Sequence, residues 1–183
     1  MKKKNNKNDF FKFGKKIQGT PYRVLNERSI RAGAGIMLML AIIGFSQAIL
    51  IKSYTFLTFV IILFFIDFTT KVFITPNLSL VGFIANWIVR KQTPDYVGAI
   101  QKRFAWTIGF LMSGFMLFYF VIFGMRSNIS LSFCLICLTF MWFETSFGIC
   151  VGCKIYNLFL KYKIMKTPEI KPACPGGSCS IKN

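Results

Sequence analysis

Residues 104–125 read FAWTIGFLMSGFMLFYFVIFGM, twenty-two consecutive positions without a charge. A helix of about 20 apolar residues crosses the hydrocarbon core of a bilayer, because lipid offers no partner to an unpaired backbone amide. This stretch is therefore predicted to span a membrane, and the chain around it repeats the pattern. Residues 32–51 give twenty more uncharged positions. Residues 53–75 form a third apolar run that carries Asp67, and residues 127–153 form a last one that carries Glu144. Composition agrees: 54% of the residues are hydrophobic, 22 are phenylalanine, and only six are acidic. The mean hydropathy of +0.54 is too high for an ordinary soluble domain of this length.

Residues 78–89, LSLVGFIANWIV, are the ambiguous piece. Pro76 and Asn77 separate them from the preceding run, and twelve residues suit an interfacial or re-entrant helix better than a span. Charge decides the matter. With four spans only Lys52 and Arg126 face outward, leaving 21 of the 23 lysines and arginines on the cytoplasmic side. A fifth crossing would split them 12 inside and 11 outside, which the positive-inside rule disfavours. The expected fold is all-α: a polytopic bundle of four transmembrane helices plus one interfacial or re-entrant helix, both termini cytoplasmic, in a cytoplasmic (inner) membrane. The expected organisation is a disordered basic segment over residues 1–23, a transmembrane domain over 24–160, and a cytoplasmic tail over 161–183.

The net charge of +17 does not point to nucleic acid, since the basic residues flank apolar runs and form no patch interleaved with stacking aromatics. The first 31 residues hold ten basic side chains, and the apolar run behind them is too long for a signal peptide. Gly148-x-x-x-Gly152 is expected to form a small-residue face for helix packing in the last span. No internal repeat supports an inverted-repeat transporter.

All six cysteines fall into pairs: Cys134-x-x-Cys137, Cys150-x-x-Cys153 and Cys174-x4-Cys179. Helical positions three apart share a face, so Cys150 and Cys153 should present two sulfurs at the cytoplasmic end of the last span. Adjacent Lys154 would favour thiolate, while a helix C-terminus would oppose it. The bland alternative is that these two cysteines pack beside the glycines. Cys134 and Cys137 lie in apolar surroundings and read as packing residues. Cys174 and Cys179 bracket Pro-Gly-Gly-Ser, a turn outside any span, where they could exchange thiols or join Cys150 and Cys153 around zinc or an iron–sulfur centre. A C-x4-C partner departs from the usual two tight knuckles.

Acids within a membrane are costly and therefore candidates for function. Asp67 can pair with Lys71 one turn later; Glu144 has no cation within a turn of its own helix. Asp67, Lys71, Arg103 and Glu144 fall at similar depth and could form a buried polar cluster, either as helix glue or, through Glu144, as a proton relay. On one straight helix Glu144 would face away from Cys153. Histidine is absent, which excludes Ser-His and Cys-His constellations and imidazole metal sites.

Several of these residues are similar to the pattern of an uncharacterised bacterial four-span integral-membrane family, named only as a domain of unknown function. They are Asn26-Glu27-Arg28 with Arg31, Asp67 with Lys71, Arg103-Phe104-Ala105 with Gly109, and Glu144 followed by Phe147-Gly148-x-Cys150-x-Gly152-Cys153-x-x-Tyr156. The resemblance covers residues 24–156, with lysine at position 71 where the family pattern has arginine. Members of that family are often encoded near thioredoxin-like or rhodanese-like proteins, which implies redox or sulfur traffic. The resemblance supports Cys150, Cys153, Glu144, Asp67 and Arg103 as the site and leaves Cys174 and Cys179 outside it.

The leading expectation is a membrane dithiol that passes electrons or sulfane sulfur to a thioredoxin-like or rhodanese-like partner. The alternatives are a thiolate metal site at Cys150, Cys153, Cys174 and Cys179, or a small transporter or assembly subunit with structural cysteines. The expected partners are the lipid bilayer and, as an option, further copies of the chain in a homo-oligomer.

Overall fold

The computed structural model describes residues 13–16, 22–124 and 128–163. Cys174, Cys179 and most of the basic N-terminal segment lie outside the described residues, so the expectations made for them are not addressed by it.

The architecture is nearly all helical. A short strand β1 (Val24–Asn26) pairs antiparallel with β2 (Tyr96–Gly98), Val24 opposite Gly98. Six helices follow or frame them: α1 (Glu27–Leu50), α2 (Thr55–Thr69), α3 (Leu80–Ile88), α4 (Ala99–Met116), α5 (Asn128–Ser146) and α6 (Val151–Lys161). Helix α2 continues into a π-helical turn at Thr70–Ile74, and α4 into another at Leu117–Ile122. With those extensions, four helices are long and apolar enough to cross a membrane: Glu27–Leu50, Thr55–Ile74, Ala99–Ile122 and Ile129–Ser146. The nine-residue α3 is too short to cross, since at 1.5 Å per residue it covers only about 14 Å. Large side chains such as Met39, Phe59, Phe83, Leu111 and Phe118 face outward, where lipid solvates them at no cost.

Local chemistry explains the boundaries. Asn26 caps α1 by accepting the Arg28 amide at 3.2 Å, and Glu27 places its charge on the positive end of the helix. The β-pair joins the entries of α1 and α4, which fixes their first turns side by side. Residues 13–16, in the segment expected to be disordered, attach to this cap: Lys15 bridges Val24, and the Phe13 ring meets Trp106 edge-on at 5.8 Å.

The sequence of packing is α3 on α1, α1 between α2 and α5, and α4 between α2 and α6. Gly33 of α1 sits against Ala85 and Val81 of α3, and Ser29 donates to Asn86 at 2.7 Å. Gly44 of α1 lies against Leu57 and Phe56 of α2. Such small residues let helix backbones approach in a solvent that supplies no hydrophobic drive between helices. By contrast α4 and α5 touch only sparsely.

The last apolar run departs from expectation. It is not one helix to residue 153: α5 ends at Ser146, and the chain turns through 147–150 before α6 begins. Gly148 adopts φ +64°, a left-handed conformation that stops a helix. Its absent side chain also makes room for Arg31, whose guanidinium would lie 3.1 Å from a Cβ and whose Nη2 donates to the Thr145 carbonyl at 3.2 Å. Gly148 and Gly152 therefore do not form one helical face.

Candidate functional site

The break between α5 and α6 creates the site. Cys150 becomes the N-cap of α6: its extended backbone (φ −80°, ψ 102°) precedes the first turn, and its Sγ accepts the Cys153 amide at 3.4 Å. The Cys153 thiol points back and donates to Cys150 Sγ at 2.7 Å. Both side chains are buried, with 3% and 2% of their surfaces exposed, so neither sulfur is open to water. This reverses the electrostatics expected from one continuous span. The dithiol sits on the positive N-terminal end of a helix, where a thiolate is favoured, and not on a negative C-terminal end.

The two sulfurs are thereby made unequal. The hydrogen bond from Cys153 holds the Cys150 thiol below its ordinary range, against the opposing effect of burial, and the Lys102 ammonium helps. Cys153 moves the other way: it serves as the donor to Cys150, and burial adds to the upward shift. One thiol of the pair is thus set to ionise before the other, an inequality that dithiol exchange can use.

Helix α6 is held in place by α4. Gly152 packs directly on Ala105, and a Cβ there would fall 2.6 Å from the Ala105 methyl. Gln101 donates to Asn157 at 3.3 Å, and the Phe104 and Tyr156 rings meet at 5.3 Å. The same face of α4 delivers Lys102, which is 1% exposed, with Nζ 2.7 Å from Glu144 Oε1 on α5. Glu144 thus finds its cation on a neighbouring helix, and the pair lies beside the dithiol.

Sequence reasoning chose the neighbouring cations. Arg103 does not enter a buried polar cluster: its side chain is exposed and lies over the Phe13 ring at 5.2 Å. Lys154 is exposed as well. The physical reason is helical phase. Because α4 starts at Ala99, five residues before the uncharged run, both Lys102 and Arg103 belong to the helix, about 100° apart. Lys102, Trp106, Gly109 and Ser113 recur at i, i+4, i+7 and i+11 and form the inward stripe; Arg103 falls in line with Thr107 and exposed Leu111. That stripe was the signal that could have singled out Lys102.

Asp67 and Lys71 do pair, at 2.5 Å, but in a different setting. Ser79 donates to the other carboxylate oxygen while its Oγ also accepts the Gly82 amide at 3.0 Å, so Ser79 caps α3 and ties it to α2. The Lys71 ammonium lies within 6 Å of the Phe68 and Trp106 ring centres, at 5.7 and 5.8 Å. This cluster holds the turn after α2, the role of glue.

Among the described residues, no group of three or more cysteines and carboxylates is placed to hold a metal ion. The thiolate metal reading therefore rests on Cys174 and Cys179, outside those residues. Cys134 and Cys137 are half-buried on α5 and, with Glu144 and Cys150, line a cavity of about 140 Å³ whose remaining walls come from α1, α2, α4 and α6.

No curated protein and no solved structure matches the chain. A family model does, over residues 25–161, which contain all four spans, the Lys102–Glu144 pair and the Cys150–Cys153 dithiol. On that match the chain belongs to the family described as a domain of unknown function, DUF4395.

Proposed function

We propose that this protein is a membrane dithiol that cycles between reduced and disulfide forms at Cys150 and Cys153. Cys150 acts as the nucleophile and Cys153 as the resolving thiol. The observation that carries the reading is Cys150 on the N-terminus of α6 with the Cys153 thiol 2.7 Å away and a buried cation, Lys102, in the same field. Cysteines that merely pack need neither a cap position nor a charge partner.

The dithiol lies on the face that also carries the entries of α1 and α4, where basic residues concentrate. The 21 of 23 lysines and arginines on that side, outside Lys52 and Arg126, support a cytoplasmic orientation in an inner membrane. Its aqueous-side exchange partner is then a thioredoxin-like or rhodanese-like protein, which can deliver electrons or sulfane sulfur. Residues 147–150 lie outside both α5 and α6, and displacing that turn exposes Cys150 to a partner sulfur. Glu144, held by Lys102, is the group positioned to exchange a proton with the thiols.

The test is alkylation trapping of the purified chain equilibrated across thiol–disulfide buffers. A reversible Cys150–Cys153 disulfide with a defined midpoint is expected. Cysteines that stay reduced until harsh oxidation would sink the reading. The metal alternative predicts stoichiometric zinc or iron that is lost in Cys153→Ser.

A further inference from the structure

Both thiols are closed to water, yet Cys150 borders a cavity in the interior of the bundle. The cavity of about 140 Å³ runs alongside α5 from Cys134 to Glu144, ten residues or about 15 Å of helix, and reaches Cys150. Its walls are apolar and aromatic, with Phe64, Trp106 and Leu138 among them, and its position is within the spanning helices. The Cys150 sulfur and the Glu144 carboxylate stand together at one end of it, while the Cys134 and Cys137 thiols border it along α5. The cavity lies between α4 and α5, which touch only sparsely, so a molecule dissolved in lipid has a route between those helices to reach it.

Size, polarity and reactivity together select the occupant. A cavity of about 150 Å³ lined by aliphatic and aromatic side chains holds one benzene ring. An acyl chain would fill the apolar part but leave a thiolate and a carboxylate facing hydrocarbon. A flat six-membered ring with two carbonyl oxygens and an apolar tail matches both ends. We propose that the cavity binds the ring of a membrane quinone, and that the Cys150–Cys153 dithiol reduces it. This rests on the dithiol reading above and assigns that site its lipid-soluble partner.

The chemistry balances. The Cys150 thiolate adds to a ring carbon, forming a C–S bond and placing an electron pair on the quinone oxygens. Cys153, giving up its proton, attacks Cys150 Sγ; the S–S bond forms, the C–S bond breaks, and the pair stays on the ring. Two electrons leave the sulfurs. The ring takes two protons, one from Cys153 and one from water by way of Glu144, and departs as the quinol. A dithiol protein on the aqueous side then reduces the disulfide, so the net flow is from an aqueous dithiol to the quinone pool.

The experiment uses the full chain, reduced and reconstituted in lipid nanodiscs, mixed without oxygen with a decyl-substituted benzoquinone. One quinone reduced per chain is expected, with the new disulfide mapped by mass spectrometry to Cys150 and Cys153. Leu138→Trp, which fills the cavity, should slow this reduction at least tenfold. Wild-type protein treated with diamide forms the arm that separates the two claims. A Cys150–Cys153 disulfide formed with diamide but not with quinone overturns the cavity assignment and leaves the dithiol reading standing. No disulfide with either reagent overturns both. Quinone reduction that Leu138→Trp leaves unchanged means the ring reacts elsewhere and also overturns the assignment. Should that variant fail to fold, fluorescence of a form keeping Trp106 but with Trp87→Phe and Trp142→Phe substitutes for it. Saturable quenching by the decyl quinone supports the site, and its absence removes it.

Discussion

Two buried ion pairs stand in this small bundle, and they do different work. Asp67 and Lys71 lie one turn apart on the same helix, with Ser79 completing the carboxylate and aromatic rings enclosing the ammonium. Every partner there is structural: the cluster fastens the turn between α2 and α3. Lys102 and Glu144 come from different helices, and their pair borders the Cys150 sulfur and a cavity. Asp67 is 2% exposed, whereas the Glu144 side chain keeps 21% of its surface exposed and also lines the cavity. A charge pair that is closed on all sides secures a fold, while one left with an open side remains available to chemistry.

The comparison breaks most sharply with Cys150→Ser. Reversible disulfide formation should vanish entirely while the protein keeps its helices by circular dichroism; Asp67→Asn, if folded, should retain the disulfide. Next in size is stability. Asp67→Ala strands a buried ammonium and should destabilise the bundle by about 3–5 kcal/mol, measured by unfolding in mixed detergent micelles. If that variant unfolds no more readily than wild type, the cluster is not the fastener described here.

Lys102→Met with Glu144→Gln removes charge from the other pair without leaving either partner stranded. The thiolate of Cys150 then loses the cation that favours it and, as the smaller effect, the carboxylate that opposes it, so its pH of half-reaction should rise in an iodoacetamide profile. Asp67→Asn should leave that profile in place. An unmoved profile in the double variant would show that the helix N-terminus and Cys153 suffice. The smallest effect belongs to Gly148→Ala, which forces a side chain into φ +64° against Arg31. A loss of about 1–2 kcal/mol is expected, together with faster alkylation of Cys150 as the turn loosens.

How much of this was legible beforehand follows from the kind of signal each residue carries. Span number came from run length and lysine placement, both one-dimensional properties, and the short α3 was visible as twelve apolar residues cut off by Pro76 and Asn77. The Asp67–Lys71 pair was legible because it is local, one turn on one helix. The Lys102–Glu144 pair was not, because it depends on where α4 begins and on which helix faces α5. The break at Gly148 was also missed: an uncharged run hides a left-handed residue, and Gly148-x-x-x-Gly152 reads equally as a packing face. That single φ angle changed the helix end on which the dithiol sits and so the sign of its electrostatics.

The central claim is that Cys150 is a stabilised thiolate and Cys153 its protonated partner. The direct measurement is the rate of alkylation at each cysteine as a function of pH, resolved by mass spectrometry on the purified full chain. Cys150 should reach its plateau below the pH at which an ordinary thiol ionises, with Cys153 unreactive over the same range. Equal profiles at the two positions, or Cys153 reacting first, would contradict the assignment.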